Sequence, residues 1–381
     1  MSWFYRTFLR PALFAQDSEE IHNRTLKGLA WASRHGAVCD LLSSLYGAPS
    51  LPLDLFGLRF PNPVGLAAGM DKQAAAVPVW EALGFGFVEL GGVTCLAQPG
   101  NPAPRMFRAV AEEALINRMG FNNPGAEALA GTLSRWRAEG RWPKHPVGVN
   151  LGKSKATSLD RAAEDYATSF RLLRPHADFF VVNVSSPNTP NLRQLQDKEA
   201  LNEILLAIQK INRAAGPPGS ASPGKPVLVK VAPDLSFQAL DEILDLIGPR
   251  EIAGIVATNT TISRPQTSEP TLRRIYGETG GLSGRPLRSR STEVIRHLYQ
   301  QSQGSVPIIG VGGVFDSEDA WEKILAGASL LQIYTGLVYE GPAMLKEIVT
   351  GLIARLKSAG LNEIKSAIGR QVESRFRAGK A

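Results

Sequence analysis

The run VVNVSSPNTPNL, residues 181–192, sets two adjacent hydroxyls, Ser185 and Ser186, just past a short apolar stretch and ahead of two prolines. A serine nucleophile wants a histidine base. The chain has only His22, His35, His145, His176 and His297, and none lies in a strand-end motif, so the loop calls for another chemistry. Other apolar runs also end in polar groups: Asn150 closes VGVNLG, Asn183 closes FFVVN, and Thr258, Asn259, Thr260 and Thr261 close GIVATNTT. Amides both donate and accept hydrogen bonds. Lys230 lies inside VLVKVAP, where a charge is costly unless it faces an anion. GVGGV offers backbone N–H groups at Gly312 and Gly313 ahead of a helix expected near Asp316 and Ser317, with Tyr334, Thr335 and Gly336 on the next run. In AAGMDK, Ala67, Ala68 and Gly69 leave no bulk between the backbone and a flat ligand, and Lys72 can reach over it.

The elements that must carry these groups repeat along the chain. Eight apolar runs begin at residues 64, 87, 147, 179, 227, 254, 307 and 330, and most are separated by segments of helical period: 160–174, 200–214, 237–247 and 317–328. Near-continuous apolar strands alternating with amphipathic helices specify a parallel sheet covered by helices, and eight repeats specify closure. The expected fold is therefore α/β, a (β/α)8 TIM barrel over about 64–355 with an N-terminal helical extension. An open doubly wound sheet fits less well, because the Gly-rich run falls at strand seven rather than strand one. LPLDLFGLRFPNP, 51–63, reads as a hairpin turning at Gly57 and closing the N-terminal end of the barrel; AGPPGSASPGKP, 215–226, reads as a surface connection. Two domains are expected, an extension over 1–45 and a catalytic barrel over 46–381.

In the extension, MSWFYRTFLRPALF gathers Trp3, Phe4, Phe8, Leu9, Leu13 and Phe14 with Arg6 and Arg10. DSEEIHNRTLKGLAWASRHG starts at a serine N-cap followed by two acids and aligns Ile21, Leu26, Leu29 and Ala30. Two short amphipathic helices are expected from that pattern. They are either a cap packed on the barrel or an interfacial anchor with apolar residues on one face and arginines on the other.

Composition narrows the function. The chain has 381 residues, is 44% hydrophobic and 20% charged, and carries a formal charge of +7 without a basic run or aromatic-basic interleaving, which argues against nucleic acid. Cys39 and Cys95 are the two cysteines, with no metal-ligand spacing, so neither a disulfide nor a metal site is expected. No apolar run approaches the ~20 residues of a membrane span, and no secretory leader is expected.

Barrels build their sites at the C-terminal ends of the strands, with phosphate commonly held by loops seven and eight. Each strand-end residue taken singly has a structural explanation: a turn asparagine, a tight glycine turn, a lysine met by a neighbouring carboxylate. Together they describe a phosphate at strands seven and eight and a polar heteroaromatic ring across the barrel mouth, with Lys230 at its electron-accepting end. FMN fits that better than a nicotinamide cofactor.

The motifs AAGMDK, INRMGFNN, GVNLGK, VVNVSSPNT, ATNTT, GGLSGRPL, PIIGVGG and YTGL, in that order, resemble the class 2, quinone-dependent dihydroorotate dehydrogenases, over nearly the whole chain from His22 to about Gly369. The resemblance implies FMN contacts at Ala67, Ala68, Gly69, Met70, Asp71, Gly92, Asn150, Asn183, Lys230, Thr258, Gly284, Gly313, Tyr334 and Thr335. It implies dihydroorotate and orotate contacts at Lys72, Asn117, Arg118, Met119, Gly120, Phe121, Asn183, Asn188, Asn259 and Thr260. It also implies a quinone site at His22, Arg108 and Tyr334. In this family the base is a serine in the quinone-dependent branch and a cysteine in the cytosolic branch; Ser186 matches it, and neither cysteine falls in the loop. One departure is Gly92, where the family usually has Ser or Thr.

The activity implied by the resemblance is oxidation of (S)-dihydroorotate to orotate in pyrimidine synthesis, with electrons passed to ubiquinone or menaquinone. The extension would form the quinone entrance. The protein would attach peripherally to the cytoplasmic face of a bacterial inner membrane, as a monomer. Alternatives are another FMN barrel reductase, which would leave INRMGFNN and the extension unexplained, and a flavin-holding barrel without turnover.

Overall fold

The structure, a computed structural model, describes residues 2–214 and 224–372. Most of the expected surface connection, residues 215–223, lies outside the described residues.

Eight parallel strands close into a barrel: β1 (Val64–Leu66), β2 (Phe87–Val93), β3 (Val147–Leu151), β4 (Phe179–Asn183), β5 (Val227–Val231), β6 (Gly254–Ala257), β7 (Ile308–Val311) and β8 (Leu330–Ile333). Every residue of these strands is buried, as the continuous apolar runs require when helices cover one face and the barrel interior the other. The four helices expected from periodicity form as Ala162–Leu173, Lys198–Ala214, Phe237–Ile247 and Ser317–Ala326, the last capped by Asp316.

Side-chain size decides which end of the barrel is open. At the N-terminal end the rings of Phe87 and Phe179 fill the interior opposite Gly65 and Gly148, where a Cβ would come within 2.4 and 2.1 Å of those rings. Leu53–Leu55 and Leu58–Phe60 form the hairpin expected there, turning at Phe56 and Gly57, and Phe60 packs edge-on to Phe87 at 5.4 Å. The C-terminal ends carry small and polar residues and remain open.

A second sheet was not expected from the sequence. Met106–Ala109, Ala114–Asn117 and Gly281–Gly284 form an antiparallel three-stranded sheet inserted after β2 and β6, and it carries the motifs INRMGFNN and GGLSGRPL to the barrel mouth.

The extension differs from expectation in three respects. It has three helical segments rather than two: a continuous run of Ser2–Phe4, Tyr5–Leu9 and Arg10–Phe14, then Ser18–Ser33, then Gly36–Tyr46. The cap of the second is Asp17 rather than Ser18, with its carboxylate accepting from the Glu19 and Glu20 N–H groups. The arginines of the first reach back to the barrel: Arg6, still half-exposed, pairs with Glu340 at 3.4 Å, and Arg10 donates to the Tyr339 carbonyl. Glu340 is buried, and burial raises its pKa against the pull of Arg6, Arg10 and Arg285. Trp3, Phe4, Phe8 and Leu9 are consequently turned outward, each at least 46% exposed.

Candidate active site

A cavity opens at the C-terminal ends of the barrel strands, beneath the inserted sheet. Its floor is Ala67, Ala68 and Gly69 after β1 with Gly92 of β2 and Lys230 of β5. Met119, Gly120 and Phe121 line it from the segment after the second inserted strand, with Asn117 at that strand's end. Asn183, Ser186 and Asn188 enter from β4 and its loop, and Thr258, Asn259 and Thr260 from the end of β6. Gly284 at the end of the third inserted strand, with Gly312, Gly313, Tyr334 and Thr335 beyond β7 and β8, completes the wall.

Behind the wall runs a chain of amides. Asn183 Nδ2 donates to Asn150 Oδ1 at 2.8 Å, and Asn150 Nδ2 donates to Glu89 Oε1 at 2.6 Å. Asn259 Nδ2 donates to Ser185 Oγ at 3.0 Å, and that hydroxyl donates to Asn183 Oδ1, also at 3.0 Å. Ser185 is thus spent on holding two amides, in keeping with strand alternation sending it away from its neighbour. Ser186, 7% exposed, faces the cavity, and its Oγ accepts the Asn188 N–H at 3.3 Å.

Lys72 reaches across to Asn122, donating to Oδ1 at 2.6 Å. Burial, reinforced by the Arg105 charge, lowers its pKa to about 8. Lys230 sits 3.8 Å from the fully buried Glu89 carboxylate. Burial raises Tyr334 to about 12, so its hydroxyl keeps its proton.

Several expected residues stand outside the cavity wall. Asp71 is fully buried, its carboxylate accepting from the Ala75 and Ala76 N–H groups and from Trp80 Nε1; burial still raises its pKa. Met70 is core, and Asn150 stands one layer behind. Arg118 turns away to Glu278 at 2.6 Å and to the Pro104 carbonyl. His22 and Arg108 belong to the seam with the extension. Arg108 donates to the Phe14 and Gln16 carbonyls and lies over the Phe14 ring at 4.6 Å. Burial first, then the Lys72 charge, lowers His22 to about 4.

Gly92 has a geometric reason. A Cβ there would lie 2.6 Å from the Phe121 ring, and that ring also fills the space over Gly152. Phe121 occupies the volume that a Ser or Thr side chain at 92 would enter.

Glu89 and Gln332 were overlooked, although the signal existed. Each is a lone polar residue in an apolar strand run, the argument that singled out Lys230. Gln332 donates to Glu89 from Nε2, while its Oε1 is buried without a partner, as is Asn188 Oδ1. Orphan acceptors on a cavity wall fit a ligand bearing N–H donors. The left-handed glycines Gly284 (φ +100°) and Gly313 (φ +68°) have no room for a Cβ and leave a bare backbone suited to a phosphate. Both features fit FMN.

The dihydroorotate dehydrogenase sequence profile matches residues 50–356. A relative from Gloeobacter violaceus, called dihydroorotate dehydrogenase (quinone), is 52% identical over 94% of this chain and 97% of its own. One of the same name from Synechococcus elongatus is 52% identical over 96% of this chain and 98% of its own. The crystal structure of the Eimeria tenella enzyme in complex with ferulenol superposes with a TM-score of 0.83 at 35% identity, covering 94% of this chain and 98% of that one. With the barrel, the inserted sheet and the motif residues gathered at one mouth, the chain belongs to the dihydroorotate dehydrogenase (quinone) family of oxidoreductases.

Proposed function

We propose that this chain binds FMN, oxidises (S)-dihydroorotate to orotate and hands the two electrons to a membrane quinone, ubiquinone or menaquinone, within UMP synthesis. The observation that carries the reading is the meeting in one cavity of Ser186, Lys72, the amides of Asn117, Asn188 and Asn259, and the bare glycines of β7 and its neighbours. Bound FMN supplies the acceptor for the hydride that leaves C6 of the substrate.

The chain's own residues do the rest. Ser186 takes the C5 proton as general base while its own hydroxyl proton passes on through Thr189 or a bound water, no histidine being at hand; exclusion of water and simultaneous loss of the C6 hydride assist the hydroxyl. Lys72 neutralises the substrate carboxylate. Asn117, Asn188, Asn259 and Thr260 fix the ring amides, which supplies the positioning term. Lys230 is the cation beside the flavin edge where negative charge gathers on reduction. Gly284, Gly313 and Thr335 hold the phosphate.

His22, Arg108 and Tyr334 would meet the quinone head group on the extension side. Membrane contact is supported by the outward Trp3, Phe4, Phe8 and Leu9 together with Trp31, Leu41 and Leu45, all exposed on the extension. No described helix is long and apolar enough to cross a membrane, so the reading is peripheral attachment, on the cytoplasmic face of a bacterial inner membrane.

The test begins with an absorption spectrum, in which flavin bands are expected. Anaerobic dihydroorotate should bleach them, and a quinone should restore them while fumarate and NAD do not. Bleaching reversed by fumarate or NAD in preference to quinone would refute the assignment of the electron acceptor.

A further inference from the structure

Glu89 is a carboxylate where the interior of a barrel ordinarily takes Val, Leu or Ile. It is fully buried on β2, below the cavity floor. Each oxygen is engaged: Oε1 accepts from Asn150 and lies 3.8 Å from Lys230 Nζ, and Oε2 accepts from Gln332. Lys230 and Gln332 both line the cavity, so the carboxylate is one side chain removed from whatever ring lies on that floor. Lys230 is the one cation within 4 Å of it among the described residues.

A buried ion pair is poor evidence for stability, because an apolar pair of the same volume often serves as well or better. Packing therefore gives no reason for a carboxylate here. Its consequence is electrostatic. Lys230 alone would draw negative charge onto the flavin strongly, whereas a fixed anion behind it cancels part of that pull. In a low-dielectric interior such a charge acts over several ångströms with little screening.

We propose that Glu89 sets the flavin's reduction potential: it holds Lys230 in place and offsets its charge, so that the reduced flavin stays a strong enough donor for onward transfer. The inference rests on FMN occupying the cavity. Removing the negative charge stabilises the electron-rich reduced flavin and raises the midpoint potential, and removing the positive charge lowers it. Reduction by dihydroorotate then becomes easier in the first case, and reoxidation harder.

The test is spectroelectrochemical titration of the holoenzyme at pH 7, with FMN retention followed by fluorescence of the filtrate. Glu89→Gln should raise the midpoint so that the equilibrium ratio of reduced to oxidised flavin at fixed potential grows about tenfold, ~30 mV for a two-electron couple. Lys230→Met should move it in the opposite direction, and the double variant should return towards the parent. A residue of merely structural importance would lower FMN retention in both single variants without this opposition of sign. Should Glu89→Gln fail to fold, comparison of Lys230→Met with the charge-balanced double variant reads the same contribution of Glu89. An unchanged or lowered potential on removing Glu89, in either background, overturns the proposal. A parent protein without flavin would instead overturn the cofactor assignment, and that is known before any variant is made.

Discussion

Glu19, on the second extension helix, grips Arg105 with both carboxylate oxygens: Nη2 donates to Oε1 at 2.6 Å and Nε to Oε2 at 2.9 Å. The same guanidinium donates from Nη1 to the Pro99 and Asn101 carbonyls, and the Asn101 amide donates to the Asn188 carbonyl. One bonded path therefore joins the extension to the loop that carries Ser186.

Loss of that grip should be measurable. The two side chains are 14% and 19% exposed, so Glu19→Gln is expected to cost about 1.5–3 kcal/mol, the range for a charge-assisted hydrogen bond. The hydrogen bond from Arg105 leads the causes that hold the Glu19 carboxyl below its usual range. Its contribution is thus complete above the unfolded value of ~4.3 and is lost as pH falls through the lower folded value. Denaturant midpoints of the parent, Glu19→Gln and the charge-swapped Glu19→Arg/Arg105→Glu chain decide it. A single variant as stable as the parent would show the pair to be idle.

Ser186→Ala should retain FMN and orotate binding while flavin reduction by dihydroorotate falls by about 10²–10⁴-fold at neutral pH, the range for a lost general base. Stopped-flow bleaching measures this directly. A rate within a few fold of the parent would remove Ser186 from the mechanism.

His22 and His145 are both held near pKa 4, chiefly by burial. The unfolded chain takes up these protons from about pH 6.5 downward, and the folded chain does not until about 4. Stability should therefore be fullest above about pH 6.5 and decline as pH falls to about 4, a window above that of Glu19. Urea midpoints across pH 4–7.5 test it, with His22→Asn expected to flatten part of the slope. A parent midpoint that stays level over that range contradicts both assignments.

Gly92→Ser should destabilise this chain by about 1–3 kcal/mol, because Phe121 must give way. The KM for dihydroorotate should rise with it, since Phe121 is on the cavity wall. Phe121→Leu in the same chain should recover part of the stability. Thermal melts and steady-state kinetics report both, and an unperturbed Gly92→Ser enzyme would mean that the ring has another place to go.

The barrel was legible because its strands are near-continuous apolar runs, most of them closed by glycine, asparagine or threonine, and its helices keep a 3.6-residue period. The inserted sheet was not. Its strands have four residues each, and Gly281 pairs with Asn117 across much of the chain, a register with no local signal. The third extension helix, Gly36–Tyr46, was hidden by an opening Gly-Ala pair after a histidine that gives no side-chain cap. Sequence order likewise could not say that Arg6 would pair with Glu340, more than three hundred residues away.

By itself, then, the sequence determined the eightfold repeat, the family and the set of polar strand ends, since local periodicity and motif order are properties of the chain read in one dimension. Tertiary structure alone decided which of those residues share a cavity. It tied Asp71 to the Ala75 and Ala76 N–H groups within the core, set Asn150 one layer back, turned Arg118 away from the cavity and laid the Phe121 ring over Gly92. It also placed Glu89 behind Lys230. Side-chain direction and burial follow from closure of the barrel and docking of the inserted sheet and extension, contacts between residues far apart in the chain that no local pattern encodes.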